Sequence, residues 1–197
     1  MKVSKAQMVQ NRERIVLAAS QAFRERGFDD VSVSEIMQRA GMTHGGFYGH
    51  FASKDALAAE VVTHALGLTV GRWQKTLGED SEGGLQRIVD AYLSTRHRDN
   101  PGSGCVIAAL SADVSRQGEP VRDAFARELE TLVATLVRFM PGHGEARKRQ
   151  AALGLLAQLV GAIVLARALG REPLSDEVLA AVSAGLRKQE VSSPQPS

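Results

Sequence analysis

The side chains best suited to chemistry lie close together, between Thr43 and Lys54: hydroxyls at Thr43 and Ser53, imidazoles at His44 and His50, a phenol at Tyr48 and an ammonium at Lys54. They are hydrogen-bond donors and acceptors of the kind that meet phosphate oxygens and base edges, not a bond-breaking set. His44, His50, His64, His97 and His143 show no paired metal-ligand spacing, and there is no GxxxxGK[ST], GxSxG or HExxH. No catalysis, metal or cofactor is therefore expected. Cys105 is the one cysteine, so no internal disulfide can form, which fits a reducing compartment.

Short helices must hold the Thr43–Lys54 cluster. Ile15, Ala18, Ala19, Ala22 and Phe23 recur at helical spacing, which predicts a first helix from about Asn11 to Arg26, closed by Gly27. Ser32 with Glu35 reads as a capping box opening a second helix, whose apolar stripe Val33, Ile36, Met37 and Ala40 ends at Gly41. Gly41 can turn the chain sharply, and Thr43 is suited to cap a third, very short helix with Phe47 and Phe51 on its inner face. Two short helices joined by a tight glycine turn have the dimensions of a helix-turn-helix.

Beyond it, Ser53 and Asp55 open a fourth helix carrying Leu57, Val61, Ala65 and Leu68 toward Trp73. Turn chemistry at Gly83-Gly84, Asn100 to Gly104, Gln117-Gly118, Pro141-Gly142 and Gly170 to Pro173 delimits five more helices. The eighth runs from about Glu145 to Leu169, and the ninth begins after Ser175. The fold class is all-α, with about nine helices. The expected division is a helix-turn-helix module over 1–52, a larger helical domain over 53–190, and a disordered tail over 191–197.

Val33-Ser34-Glu35-Ile36, Ala40-Gly41-Met42-Thr43, Gly46-Phe47-Tyr48-Gly49-His50-Phe51 and Ser53-Lys54-Asp55-Ala56-Leu57 strongly resemble the TetR-type family of bacterial transcriptional regulators. The resemblance implies a ligand-responsive DNA-binding regulator, a repressor released from a palindromic operator by a small molecule or electrophile. The competing reading is a helical small-molecule-binding protein whose DNA-binding module is inactive. Candidate DNA-binding residues are Ser32, Ser34, Gln38, Thr43, His44, Gly45, Gly46, Tyr48, His50 and Lys54. Thr43, Tyr48 and Lys54 would fix the register on phosphates; His44 and the helix-two side chains would read bases. Gly45 and Gly46 have two readings, close approach of DNA or tight internal packing. Lys2, Lys5 and Arg12 read as an arm toward phosphates or the minor groove, or equally as a mobile start.

The eighth and ninth helices mix small and aliphatic residues, which suits a four-helix interface in a two-fold homodimer, as the resemblance also implies; the alternative is that they only close the subunit's own core. Position alone selects Trp73, Tyr92, Leu110, Phe125, Leu129 and Met140 as candidates to line an apolar effector pocket. Cys105, at a helix start behind PGSG, is either a reactive sensor, as in some regulators of this type with a Gly-Cys pair here, or a small buried hydrophobe.

The 197-residue length suits one domain or a small module joined to a larger one, and 44% hydrophobic residues supply a core. The net charge of +2 is uneven: residues 1–54 carry +3 and the remainder −1, so the positive end is the one an acidic polymer would approach. The first residues lack the apolar run of a secretory signal, and Gln150–Ala166 falls short of a membrane span, so a cytoplasmic protein with no membrane partner is expected.

Overall fold

The first helix is longer than its apolar pattern. Ser4 Oγ accepts from the Gln7 amide at 3.2 Å and caps α1, which runs Lys5–Arg26. The turns ahead of Asn11 are exposed, so they carry no apolar stripe to read in the sequence. The structure, a computed structural model, describes residues 4–79 and 83–191. Lys2 and residues 192–197 of the expected tail lie outside them.

α2 is Val33–Arg39, followed by a 3-10 segment at His44–Gly49 in place of the expected third α-helix. Three glycines in HGGFYG explain the difference, because each lowers helix propensity by about 1 kcal/mol relative to Ala. α3 spans Lys54–Glu79, with Ser53 Oγ accepting from the Ala56 amide at 3.0 Å as the capping pattern requires. Then come α4 (Gly84–Tyr92), α5 (Thr95–Asp99), a 3-10 turn (Pro101–Ser103), α6 (Val106–Val114), α7 (Glu119–Val137), α8 (Glu145–Leu169) and α9 (Pro173–Val191). No strand occurs among the described residues, and the all-α class holds. α5 has no counterpart in the sequence reading; it is a five-residue helix capped by Ser94, too short for periodicity to reveal.

The chain divides into two compact units, Met1–Gly67 with Cys105–Glu128, and Leu68–Gly104 with Leu129–Ser197. In the first, Ile15, Ala19 and Phe23 of α1 join Ile36 and Met37 of α2, with Phe47, Phe51, Leu57 and Val61, in one buried core. α1 packs on α2 and also on α6. In the second, α8 and α9 form the principal helix pair. Ser175 lies inside α9 instead of before it. Its buried hydroxyl donates to the Ala166 carbonyl at 2.8 Å and accepts from Arg98 at 3.0 Å. Arg98, only 7% exposed, is further satisfied by Asp99 and Asp176 at 2.7 and 2.5 Å. A buried guanidinium needs such partners, since removing one from a buried pair leaves an uncompensated charge.

Candidate nucleic-acid interface

α2 stops at Ala40 because Gly41 takes φ 69°, a left-handed conformation that side chains other than glycine's rarely adopt, while the Met42 amide donates to the Met37 carbonyl at 2.8 Å. The chain then extends through Thr43 and enters the 3-10 segment, where the Gly46 amide donates to the Thr43 carbonyl at 3.0 Å. Phe47 and Phe51 are buried beneath it with ring centroids 5.7 Å apart, so they pin the segment to the core, as their spacing suggests. Tyr48 stands edge-on to Phe47 at 5.3 Å and is 69% exposed. The outward surface therefore consists of His44, Gly45, Gly46, Tyr48 and Gly49, all exposed.

Ser32, Ser34, Gln38 and Thr43 are exposed on the same unit, whereas His50 and Lys54 are half-buried. Ser32 has a structural task already, since its Oγ accepts from the Glu35 amide at 3.2 Å. The reciprocal half of the capping box is replaced by ion pairs: the Glu35 carboxylate meets Arg26 and, at 3.1 Å, Arg39. These pairs hold its pKa below the ordinary carboxylate value, the Arg26 hydrogen bond foremost. Thr43 occupies the cap position without making a side-chain cap hydrogen bond; its carbonyl accepts from the Gly46 amide. Arg12 differs most from its reading as part of an arm. Its guanidinium grips the Glu60 carboxylate, donates to the His50 carbonyl and lies 4.1 Å over the Phe51 ring. Arg12 and Glu60 are 48 positions apart, and no local pattern in the sequence links them.

The six candidate effector residues are distributed over both units. Leu110 is buried and Phe125 half-buried in the first unit; Trp73, Tyr92 and Met140 are buried, and Leu129 half-buried, in the second. Trp73 and Tyr92 do meet, at 6.2 Å between ring centroids, and His97, which sequence reasoning left out, sits 4.5 Å from Tyr92. Burial pushes the His97 imidazole below its ordinary pKa, against the opposing hydrogen bond from its Nδ1 to the Tyr92 carbonyl. Gly104 is required by close approach, for a Cβ there would stand 2.6 Å from Arg167 Nη2 and 2.9 Å from His97 Nε2. Cys105 follows at the cap position of α6 and is 5% exposed.

Residues 15–61 match the family model described as bacterial regulatory proteins, tetR family, and residues 82–182 match the tetracyclin repressor-like C-terminal domain. A helix-turn-helix-type transcriptional regulator of Bacillus subtilis, YdgC, is 46% identical over 59 residues, 30% of each chain. Another from Mycobacterium tuberculosis, Rv0196, is 30% identical over 173 residues, 79% of this chain and 84% of that one. The transcriptional repressor NemR of Escherichia coli is 27% identical over 128 residues, 64% of either chain. The matches thus span less than two thirds of YdgC and of NemR. The solved reduced form of NemR shares the fold, with a TM-score of 0.78, 24% identity, and coverage of 91% of this chain and 97% of that one.

Proposed function

The chain belongs to the TetR family of bacterial regulatory proteins, and from that premise we propose that it is a homodimeric repressor that binds a palindromic operator and is released by a small molecule or electrophile. The observation that carries this reading is the outward face of His44–Gly49, held up by buried Phe47 and Phe51 and flanked by exposed Gln38, Thr43 and Tyr48. Such a rod presents donors to a major groove while the Thr43 hydroxyl and the Lys54 ammonium meet phosphates. Its role is binding, with no catalytic turnover, in the cytoplasm where the operator lies.

Selection from random duplex DNA should return a two-fold symmetric sequence whose affinity falls steeply with salt. Each neutralised phosphate contributes about 0.9 to the logarithmic slope, so Lys54→Ala should reduce it by about 1.8 in a dimer. Titrations over a series of salt concentrations read this directly. Recovery of no preferred duplex would reject the function and favour a ligand carrier.

Dimerisation has a matching surface in the second unit. Leu165 (57% exposed) and Leu174 (53%) lie uncovered with Leu153 and Val164, and a Cβ at Gly154, Gly161 or Gly185 would meet nothing within 4 Å. α8 is even long and apolar enough to cross a membrane, yet only 39% of its most apolar window is buried. A second copy packed through α8 and α9 accounts for that apolar face in a four-helix arrangement.

For the effector, the Trp73, Tyr92 and His97 rings form an aromatic cluster in the second unit, and the Cys105 thiol lies buried at a helix start. An electrophile such as N-ethylmaleimide should release wild type from the selected operator and leave Cys105→Ser bound. Equal release of both proteins in an electrophoretic shift assay would remove the thiol from the mechanism.

A further inference from the structure

Resting on the DNA-binding reading, we propose that Arg12 and Arg14 are positioning residues for operator recognition: two arginines of one helix clamp the C-terminal ends of both helical segments of the helix-turn-helix. Arg14 Nη2 donates to the carbonyl of Ala40, which closes α2, at 2.6 Å. Arg12 Nη1 donates to the carbonyl of His50, which closes the recognition segment. Carbonyls at helix ends lack partners within the helix and carry the negative end of its dipole, so a cation there satisfies both needs.

Arg12 does more than cap. Its Nε donates to Glu60 Oε1 at 3.0 Å and its Nη2 to Oε2, a two-pronged grip on α3, while the flat of the guanidinium covers the Phe51 ring. One planar group thus ties α1, the end of the recognition segment and α3 together. A lysine ammonium has neither the fork nor the plane to make these contacts at once. The recognition segment needs such an anchor, because a six-residue 3-10 turn with three glycines has little stiffness of its own. Its roll about its own axis decides where His44 and Tyr48 point, and that roll is fixed by Phe47, Phe51 and the tethered His50 carbonyl.

The experiment uses the full-length protein and the selected duplex beside an unrelated duplex, with Arg12→Gln, Glu60→Gln and the double variant. Each is first checked by circular dichroism and melting and assayed well below its melting temperature. Glu60→Gln is decisive in sign. Removing a negative charge from a DNA-binding unit raises affinity for DNA by electrostatics alone, whereas loss of the clamp lowers it for the selected duplex. The expected result is a roughly tenfold loss on the selected duplex for either single variant, with no further loss in the double variant. For Arg12→Gln the unrelated duplex should be weakened only by the general electrostatic effect of one lost charge per protomer, far less than the selected duplex, and its salt slope should fall by far less than about 1.8. Tighter or unchanged binding of the selected duplex by Glu60→Gln overturns the clamp. So does a slope reduced by about 1.8 in Arg12→Gln, which identifies Arg12 as a direct phosphate contact in each protomer. If Arg12→Gln does not fold, the sign of the Glu60→Gln effect alone decides. A wild-type protein that prefers no duplex rejects the DNA-binding reading itself, a different outcome from wild type and Glu60→Gln binding alike.

Discussion

Leu165→Asp is expected to yield a folded monomer that binds the selected operator at least about 100-fold more weakly than wild type. Leu165 is 57% exposed, so the substitution removes little from the subunit's own core. In a two-fold dimer the same change falls twice on one interface. Burying an unpaired carboxylate costs several kcal/mol per copy. A neighbouring small-residue surface at Gly161 and Gly154, open to at least 4 Å, lets the helices approach closely and leaves no room for water around that charge. Affinity then collapses because the two half-sites are no longer read by one body, and the advantage of the second binding event is lost. Sedimentation equilibrium should report 21.1 kDa for the variant and twice that for wild type, with unchanged circular dichroism. A variant that remains dimeric would move the interface away from this face of α8.

What the sequence made readable was the local physics. Ser32 and Ser53 cap the helices they precede, Gly41 makes the turn, and Phe47 with Phe51 is core, because each effect is settled within four residues of chain. The limits of α8 were readable for the same reason, its turn-forming flanks being adjacent. Failures came where a distant partner or a short element decided the outcome. The Glu35 carboxylate left its capping box for Arg26 and Arg39, and Arg12 turned inward to Glu60 across 48 positions. Ser175 reads as the residue before the ninth helix but lies within it as a buried link between Arg98 and the Ala166 carbonyl, 77 and 9 residues away. The third helix tightened into 3-10 geometry because glycine propensity outweighed the apolar pattern of Phe47 and Phe51. Of the candidate interface, the exposure of His44, Gly45, Gly46 and Tyr48 was readable from motif and period; the Arg12 brace beneath them was not.

The glycines of that candidate interface give the sharpest test of stability against the proposed function. Neither Gly45 nor Gly49 has a positive φ, and a Cβ built on either meets nothing within 4 Å. At Gly46 a Cβ would meet Met37 Cε at 3.5 Å, an ordinary contact. Tight internal packing therefore does not account for glycine at 45 or 49, and each costs the fold about 0.5–1 kcal/mol relative to alanine. What remains is approach from outside. With no side chain, the backbone can sit against base edges and thymine methyls, where shape does the discriminating that missing side chains cannot. Gly45→Ala and Gly49→Ala should accordingly unfold at higher urea concentration than wild type. Each should also bind the selected operator more weakly, by about tenfold per protomer and about 100-fold in the dimer. A gain in stability with operator affinity unchanged would mean that the duplex keeps its distance from these positions, and base readout would then fall to His44, Tyr48 and Gln38 alone. A loss of stability would instead show that the open space around both Cα atoms is needed by the chain itself.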